Sequence, residues 1–321
     1  ESIGDSVEYV EQREQLGTGH AVLQTKDLLA GEHGTIMVLC GDTPLLTAEL
    51  LARFHEEHVQ AGAKATVLTA IMPNAKGYGR VIRRENGEVL KIVEHKDATP
   101  EEREIHEVNA GIYCFDAQAL FAALANVTND NAQGEYYLPD VLSILRDAGE
   151  KIWAVTADNY ESTLGINSRS QLAVAERILR RRKVEELMAD GVTIIDPHTT
   201  FIDAEVRVGM DTVIYPFTFL EGVTVIGEDC VIGPNVRFQN MVVGDNVKAH
   251  YVYAHDAEVE NGAELGQFNH IRPDSHIGAG VKMGNFVEVK NSNIGAGSKL
   301  PHLSYIGDCD LGAHVNMGCG T

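Results

Sequence analysis

The chain has 321 residues and 34.9 kDa, with 26 basic side chains against 47 acidic ones and a formal charge of −21 at pH 7. That length allows about two domains, each able to bury a core without a metal or disulfide staple. So acidic a protein disfavours generic binding to nucleic acid or anionic membranes, and no apolar run approaches the ~18 residues that cross a bilayer. The five cysteines (Cys40, Cys114, Cys230, Cys309, Cys319) are scattered and form no Cys-x-x-Cys. Reduced thiols and a cytoplasmic location are expected from that pattern. No signal peptide is visible, and the sequence starts at Glu1 rather than Met, as a chain lacking its own N-terminus would.

In chain order, the first motif is Gln15-Leu16-Gly17-Thr18-Gly19-His20-Ala21, ahead of a helical pattern. Its glycines let backbone N–H groups approach a nucleotide, or simply make a tight turn. Thr35–Cys40 is a continuous apolar run ending at Gly41-Asp42, which predicts a buried parallel strand. Asp42 then stands at the carboxyl edge of a sheet, either as a metal ligand or as a helix cap. Thr47 caps a helical stretch, and Ala65–Ala70 is strand-like again, so strand, helix and strand form a crossover unit. Further on, 87–93 reads as a strand and 120–124 as part of a helix. The alternation to about Gly191 predicts an α/β layered domain.

A long helix is expected from a Ser168 cap to about Ala189, with Leu172, Ala175, Leu179 and Leu187 along one side, as a connector. Its run Arg180-Arg181-Arg182-Lys183 is either a phosphate site or a solvated helix face. Beyond Gly191 the helical period stops and an aliphatic residue followed by Gly recurs eleven times, from Val208-Gly209 to Met317-Gly318, at spacings often of six or twelve. This is the hexapeptide signature of a parallel β-helix, with one aliphatic side chain inward at each corner and Gly where the backbone turns tightly. Solenoids need caps. The sequence stops at Gly320-Thr321, so a truncated chain or a covered last rung is expected.

Together these residues resemble a family, the bifunctional bacterial N-acetylglucosamine-1-phosphate uridyltransferase/glucosamine-1-phosphate acetyltransferases. The matches are Glu14–Ala21, Gly77-Tyr78-Gly79-Arg80, Val93-Glu94-His95-Lys96-Asp97-Ala98, Asn131–Tyr137 and Gly284–Lys290, and the resemblance covers essentially the whole chain in order. It implies a Rossmann-like α/β nucleotidyltransferase domain over residues 1–167, truncated at its N-terminus, a connecting helix over 168–191, and a left-handed parallel β-helix acetyltransferase domain over 192–321. That handedness departs from the right-handed crossover rule and comes from the resemblance alone.

The resemblance also implies roles. Gln12, Gly17 and Thr18 would hold the uracil and its nearby backbone, Gly41 and Asp42 would lie by the ribose and metal, and Gly79, Glu94, Asn109 and Tyr137 would hold the N-acetylglucosamine portion. Asp42 and Asn167 would hold Mg²⁺, a hard ion that takes few protein oxygens and keeps waters and substrate phosphates. The sugar phosphate would attack the α-phosphorus of UTP in line as pyrophosphate departs. Read alone, Glu94 is a strand-end acid and Asn109 a turn residue.

In the second half, Arg272, Lys290, Tyr305 and Asn316 match positions that bind glucosamine 1-phosphate. The two cations supply the charge a phosphate needs. His302 would take the proton as the sugar amine attacks acetyl-CoA, work suited to an imidazole, and a backbone N–H near Cys319 would stabilise the oxyanion. Read alone, His302 is a surface histidine on a solenoid turn. A homotrimer is implied, because such β-helices build the acetyltransfer site between subunits.

Departures are equally specific. The family's opening Gly-rich loop, with an Arg and a Lys that grip the triphosphate, lies outside this sequence. So do the Asn and Lys after the final Gly-x-Gly-Thr and the coils of the acetyl-CoA pocket. Cys319 stands where Ala is usual. Two other readings compete: a sugar-nucleotide pyrophosphorylase with a non-catalytic β-helix, which His302, Lys290 and Arg272 oppose, and an inactive solenoid scaffold, which has no reason to bind UDP-N-acetylglucosamine with Mg²⁺.

Overall fold

A computed structural model describes residues 6–29, 31–131 and 133–320, so Ala132 of the Asn131–Tyr137 motif and the terminal Thr321 lie outside the described residues. The chain divides into two compact units, residues 1–175 and 176–321. In the first, α1 (Thr18–Leu23) and α2 (Lys26–Leu29) precede β1 (Thr35–Val38), α3 (Ala48–Ala61), β2 (Ala65–Ile71), β3 (Arg80–Arg83) and β4 (Val89–Val93). Then come α4 (Pro100–Arg103), β5 (Glu107–Asp116), α5 (Ala117–Leu124), α6 (Asp140–Asp147), β6 (Ile152–Thr156) and the start of α7 (Arg169–Ala189). As expected, Thr47 caps α3, its side chain accepting from the Leu50 N–H, and Ser168 Oγ accepts from Gln171 N at the head of α7.

The sheet runs β4-β3-β5-β2-β6, with β1 also on β5. Residues 113–115 of β5 pair with both β1 and β2, so β5 lies between them. Here the structure corrects the sequence reading. Rather than a buried parallel strand, β1 is half-buried throughout and antiparallel to β5. The crossover from β1 to β2 keeps its direction, but the intervening ten-residue β5 makes the sheet mixed. Apolar side chains of α5 and α6, including Leu120, Val141 and Leu142, pack with Val67 and Phe115. Leu50 and Phe54 of α3 pack with Leu68, Ile112 and Val155 in a separate cluster, which gives the layered arrangement.

The second unit is a parallel β-solenoid of about seven turns, built from short strands stacked in three columns. In-register pairs such as Ile214–Ile232, Leu220–Phe238 and Ile226–Val243 place inward side chains over one another, and each buried aliphatic contributes about 1.5–3 kcal/mol. Buried hydroxyls join the coils: Thr212 Oγ1 donates to Gly227 O at 2.8 Å and accepts from Cys230 N at 3.0 Å.

Two sequence expectations change here. Of the eleven aliphatic-Gly glycines only Gly233 has a positive φ, while left-handed corners fall largely on Asp, Asn and aromatic residues such as Asp229, Asn246 and Phe268. Close approach explains most of these glycines, Gly312 and Gly318 excepted: a Cβ on Gly227 would come 2.7 Å from the Gly244 backbone carbon of the next coil. On α7, Leu172 and Leu179 are exposed, and the buried positions are Ala175, Ile178, Val184 and Leu187. Val184 and Leu187 join the solenoid core, so the last turns of the helix cover its first coil. The Arg180–Lys183 run is engaged within the helix surface: Arg180 stacks over Phe201 at 4.2 Å and Lys183 pairs with Glu186 at 2.7 Å.

Candidate active sites

In the first unit the Gly17-Thr18-Gly19 turn is clamped to the loop ahead of α6. Gly19 N donates to Tyr136 O, Tyr136 N to Leu16 O and Leu138 N to Thr18 Oγ1, at 2.7–3.1 Å. Gly17 has φ +108°, and a Cβ there would strike the Tyr136 backbone. Gln12 ties into the same turn, its Nε2 3.2 Å from Gly17 O and 3.0 Å from His20 Nδ1. Asn131 shapes the facing loop, with Nδ2 donating to Glu135 O and Oδ1 accepting from Glu135 N. Tyr137 thus lies directly beside the glycine turn, and it lines a cleft together with Thr18.

That cleft, of about 1000 Å³, is lined by Thr18, Glu94 and Tyr137, each from a different matched motif, and by Asn109, which lies in none of them. Gly79 adjoins it: its carbonyl accepts from Asn109 N at 2.9 Å, and a Cβ on it would sit 3.1 Å from Glu94 Oε1. The buried Arg80 fixes the turn that presents Gly79 by donating to the Ala75 and Tyr78 carbonyls. Desolvation against the cleft, with Asp97 nearby, raises the Glu94 pKa. The Tyr137 phenol is also raised, by desolvation and then by Glu135, Glu94, Asp140 and Asp97. The cleft therefore carries acidic groups suited to sugar hydroxyls.

Asp42, Gly41 and Asn167 lie outside that lining and form a second group. The Asp42 carboxylate and the Asn167 amide both come within 4 Å of the place a Cβ on Gly165 would occupy, and Ile166 N donates to Asp42 O at 2.9 Å. Among the described residues there is no cluster of three or more His, Cys, Asp or Glu side chains that could hold a metal. The donor types, one carboxylate and one amide that presents an oxygen once turned over, nonetheless fit Mg²⁺, which bonds mainly to water and phosphate. Sequence reasoning missed Cys40 and Tyr113, which also line the cleft.

On the solenoid, Arg272, Glu288 and Tyr305 lie on successive coils. Glu288 is in register with Tyr305, and Arg272 Nη1 donates to Glu288 Oε1 at 3.0 Å. Lys290 Nζ pairs with Asp308 Oδ2 at 3.3 Å, and hydrogen bonds from Asn291 and Lys290 lower the Asp308 pKa. His302 stands exposed at the next corner, where Leu303 turns with φ +52°. Asn316 bridges to Lys299 in the final described coil, and Cys319 is exposed there. The structure thus gathers Arg272, Lys290 and Tyr305 on one face and sets His302 around the corner from them. Glu288, the carboxylate between them, was not singled out from the sequence, although it lies within the matched Gly284–Lys290 motif.

Residues 2–165 match the nucleotidyl transferase family, which fits the mixed sheet and its cleft. The first unit is a nucleotidyltransferase domain. Over the whole chain, the bifunctional protein GlmU of Geobacillus sp. (strain WCH70) is 53 % identical across 319 residues, 99 % of this chain and 70 % of that protein. The same-named protein of Geobacillus thermodenitrificans (strain NG80-2) is 53 % identical across 321 residues, and that of Listeria monocytogenes serotype 4a (strain HCC23) 47 % identical across 321, each match covering 100 % of this chain and 70 % of the relative. The chain belongs to the GlmU family of bifunctional nucleotidyltransferase–acetyltransferases.

Proposed function

We propose that the solenoid acetylates glucosamine 1-phosphate from acetyl-CoA and that the first unit then transfers a uridylyl group from UTP to the resulting N-acetylglucosamine 1-phosphate. The observation that carries this reading is the single cleft collecting Thr18, Glu94, Asn109 and Tyr137. Glu94 and Asn109 hold the sugar hydroxyls and acetamide, Tyr137 closes over the sugar, and Gln12, Gly17 and Thr18 read the uracil. Asp42 and Asn167 would hold Mg²⁺, which when bound offsets charge on the phosphates. With the reactants aligned, the sugar phosphate oxygen bonds to the α-phosphorus and the bond to pyrophosphate breaks.

In acetyl transfer, Arg272 and Lys290 bind the sugar phosphate, with Tyr305 and Asn316 placing the sugar. The amine nitrogen bonds to the thioester carbonyl carbon, its proton passes to the His302 imidazole, and the carbon–sulfur bond breaks as that proton is delivered to the departing sulfur, which releases CoA thiol and restores the neutral imidazole. A backbone N–H near Cys319 steadies the oxyanion. The family's homotrimer is supported by an exposed apolar ladder at the His302 corner, in which Tyr251 is tilted against Phe268 at 5.6 Å, Phe268 stacks on Phe286 at 5.1 Å and Leu303 follows. A second copy covering that ladder would complete the site beside His302. Among the described residues no helix is long and apolar enough to cross a membrane, and the five free thiols support a cytoplasmic location.

Calorimetric titration with UDP-N-acetylglucosamine and Mg²⁺ tests the uridylyl half. Saturable binding that Asn109→Ala weakens about tenfold, the loss of a buried polar contact, is expected. Undetectable binding, or equal binding by the variant, would count against the reading.

A further inference from the structure

In a regular strand, residues four apart are separated by about 13 Å. In β5, Asn109 and Tyr113 instead touch. Val67 of β2 pairs with Tyr113 and Thr69 with Asn109, so two steps on β2 answer four on β5. The excess is a bulge around Gly111, whose φ is +74°. Gly111 N donates to Asn109 Oδ1 at 2.9 Å, which identifies that end of the amide as oxygen. The other end, Nδ2, donates to the Tyr113 hydroxyl at 2.8 Å. The Asn109 side chain is thereby held at both ends before any ligand arrives.

Tyr113 is 3 % exposed, its ring stacks on Phe115 at 5.6 Å, and it lines the same cleft as Asn109. Because it accepts from Asn109, its own O–H proton remains for another acceptor. Burial, with Cys40 and Glu94 close by, pushes the phenol pKa up, so that proton stays in place at physiological pH.

We propose that Tyr113 is a positioning and specificity-determining residue: its buried hydroxyl fixes the Asn109 amide toward the acetamido sugar, so that the cleft favours N-acetylglucosamine over glucose. This rests on the reading that Asn109 holds the N-acetylglucosamine portion. Amide orientation matters because an acetamide offers one donor and one acceptor, and a flipped Asn109 would meet each with the wrong atom.

The test is Tyr113→Phe, which keeps the ring and its stacking on Phe115. The full chain and its variants are titrated with UDP-N-acetylglucosamine and UDP-glucose. Tyr113→Phe should lower affinity for the first about fivefold, leave the second unchanged, and have no effect in an Asn109→Ala background. Equal losses for both ligands, or a loss that persists without Asn109, would overturn the proposal. If the wild-type chain itself does not prefer UDP-N-acetylglucosamine, the substrate reading fails and the specificity role with it. Positioning is read separately, from the Asn109 side-chain amide resonances of the ligand-free protein. They should shift in Tyr113→Phe, and unmoved resonances would contradict positioning whatever binds.

Discussion

Glu94 shows how a residue proposed to hold the sugar works against stability. Its folded pKa lies above the ordinary 4.5 because of desolvation and Asp97. As pH rises through 4.5 the unfolded chain ionises first, so Glu94 costs stability from there through its raised folded value and beyond. Thermal unfolding at two pH values checks the sign: Glu94→Gln should melt higher than wild type at pH 7 and equally near pH 3, while losing sugar affinity. The opposite case is Glu107, which accepts from Arg83 Nε and Nη2 and from Thr69 Oγ1, with only 15 % of its side chain exposed. Replacing it with Gln removes the counter-charge of Arg83, which keeps its bonds to Gly87 O, Ala154 O and Thr156 Oγ1, and denaturant unfolding should show a loss of about 1–2 kcal/mol.

Elements differ in how plainly sequence announces them. The solenoid is legible because its period repeats over seven turns, and an aliphatic residue every six positions leaves one packing solution. The role of its glycines was not legible, because spacing cannot separate a tight turn from a close approach between coils. Gly284 shows the distinction: it has no positive φ, yet a Cβ on it would overlap the Pro301 carbonyl. Gly284→Ala should therefore cost about 1–3 kcal/mol in calorimetric unfolding, although alanine suits its backbone angles. In the first unit, β1 and β2 were visible as apolar runs, but β5 was not. Gly111 interrupts its pattern and Asn109 reads as a turn residue, so the strand that splits β1 from β2 stayed hidden. Tyr113 was lost with it. The cleft's other residues were legible only through resemblance to a family, since a lone strand-end Glu or surface His carries no signature of its own.

At the scale of the whole molecule, two chemistries share one chain, and the exposed ladder through Phe268, Phe286 and Leu303, each more than half exposed, is the surface most in need of a partner. Sedimentation should give three times the 34.9 kDa chain mass, and Phe286→Asp should shift the protein toward monomer without unfolding it. A monomeric wild type would contradict that assembly. The bifunctional assignment itself is tested most directly by mass spectrometry of the products formed from glucosamine 1-phosphate, acetyl-CoA, UTP and Mg²⁺. The account predicts N-acetylglucosamine 1-phosphate followed by UDP-N-acetylglucosamine, with the first product lost in His302→Ala and the second in Asn109→Ala supplied with acetylated sugar. Products that survive both substitutions, or substrates left unchanged by a chain that includes the Gly-rich loop and the acetyl-CoA coils, would contradict it.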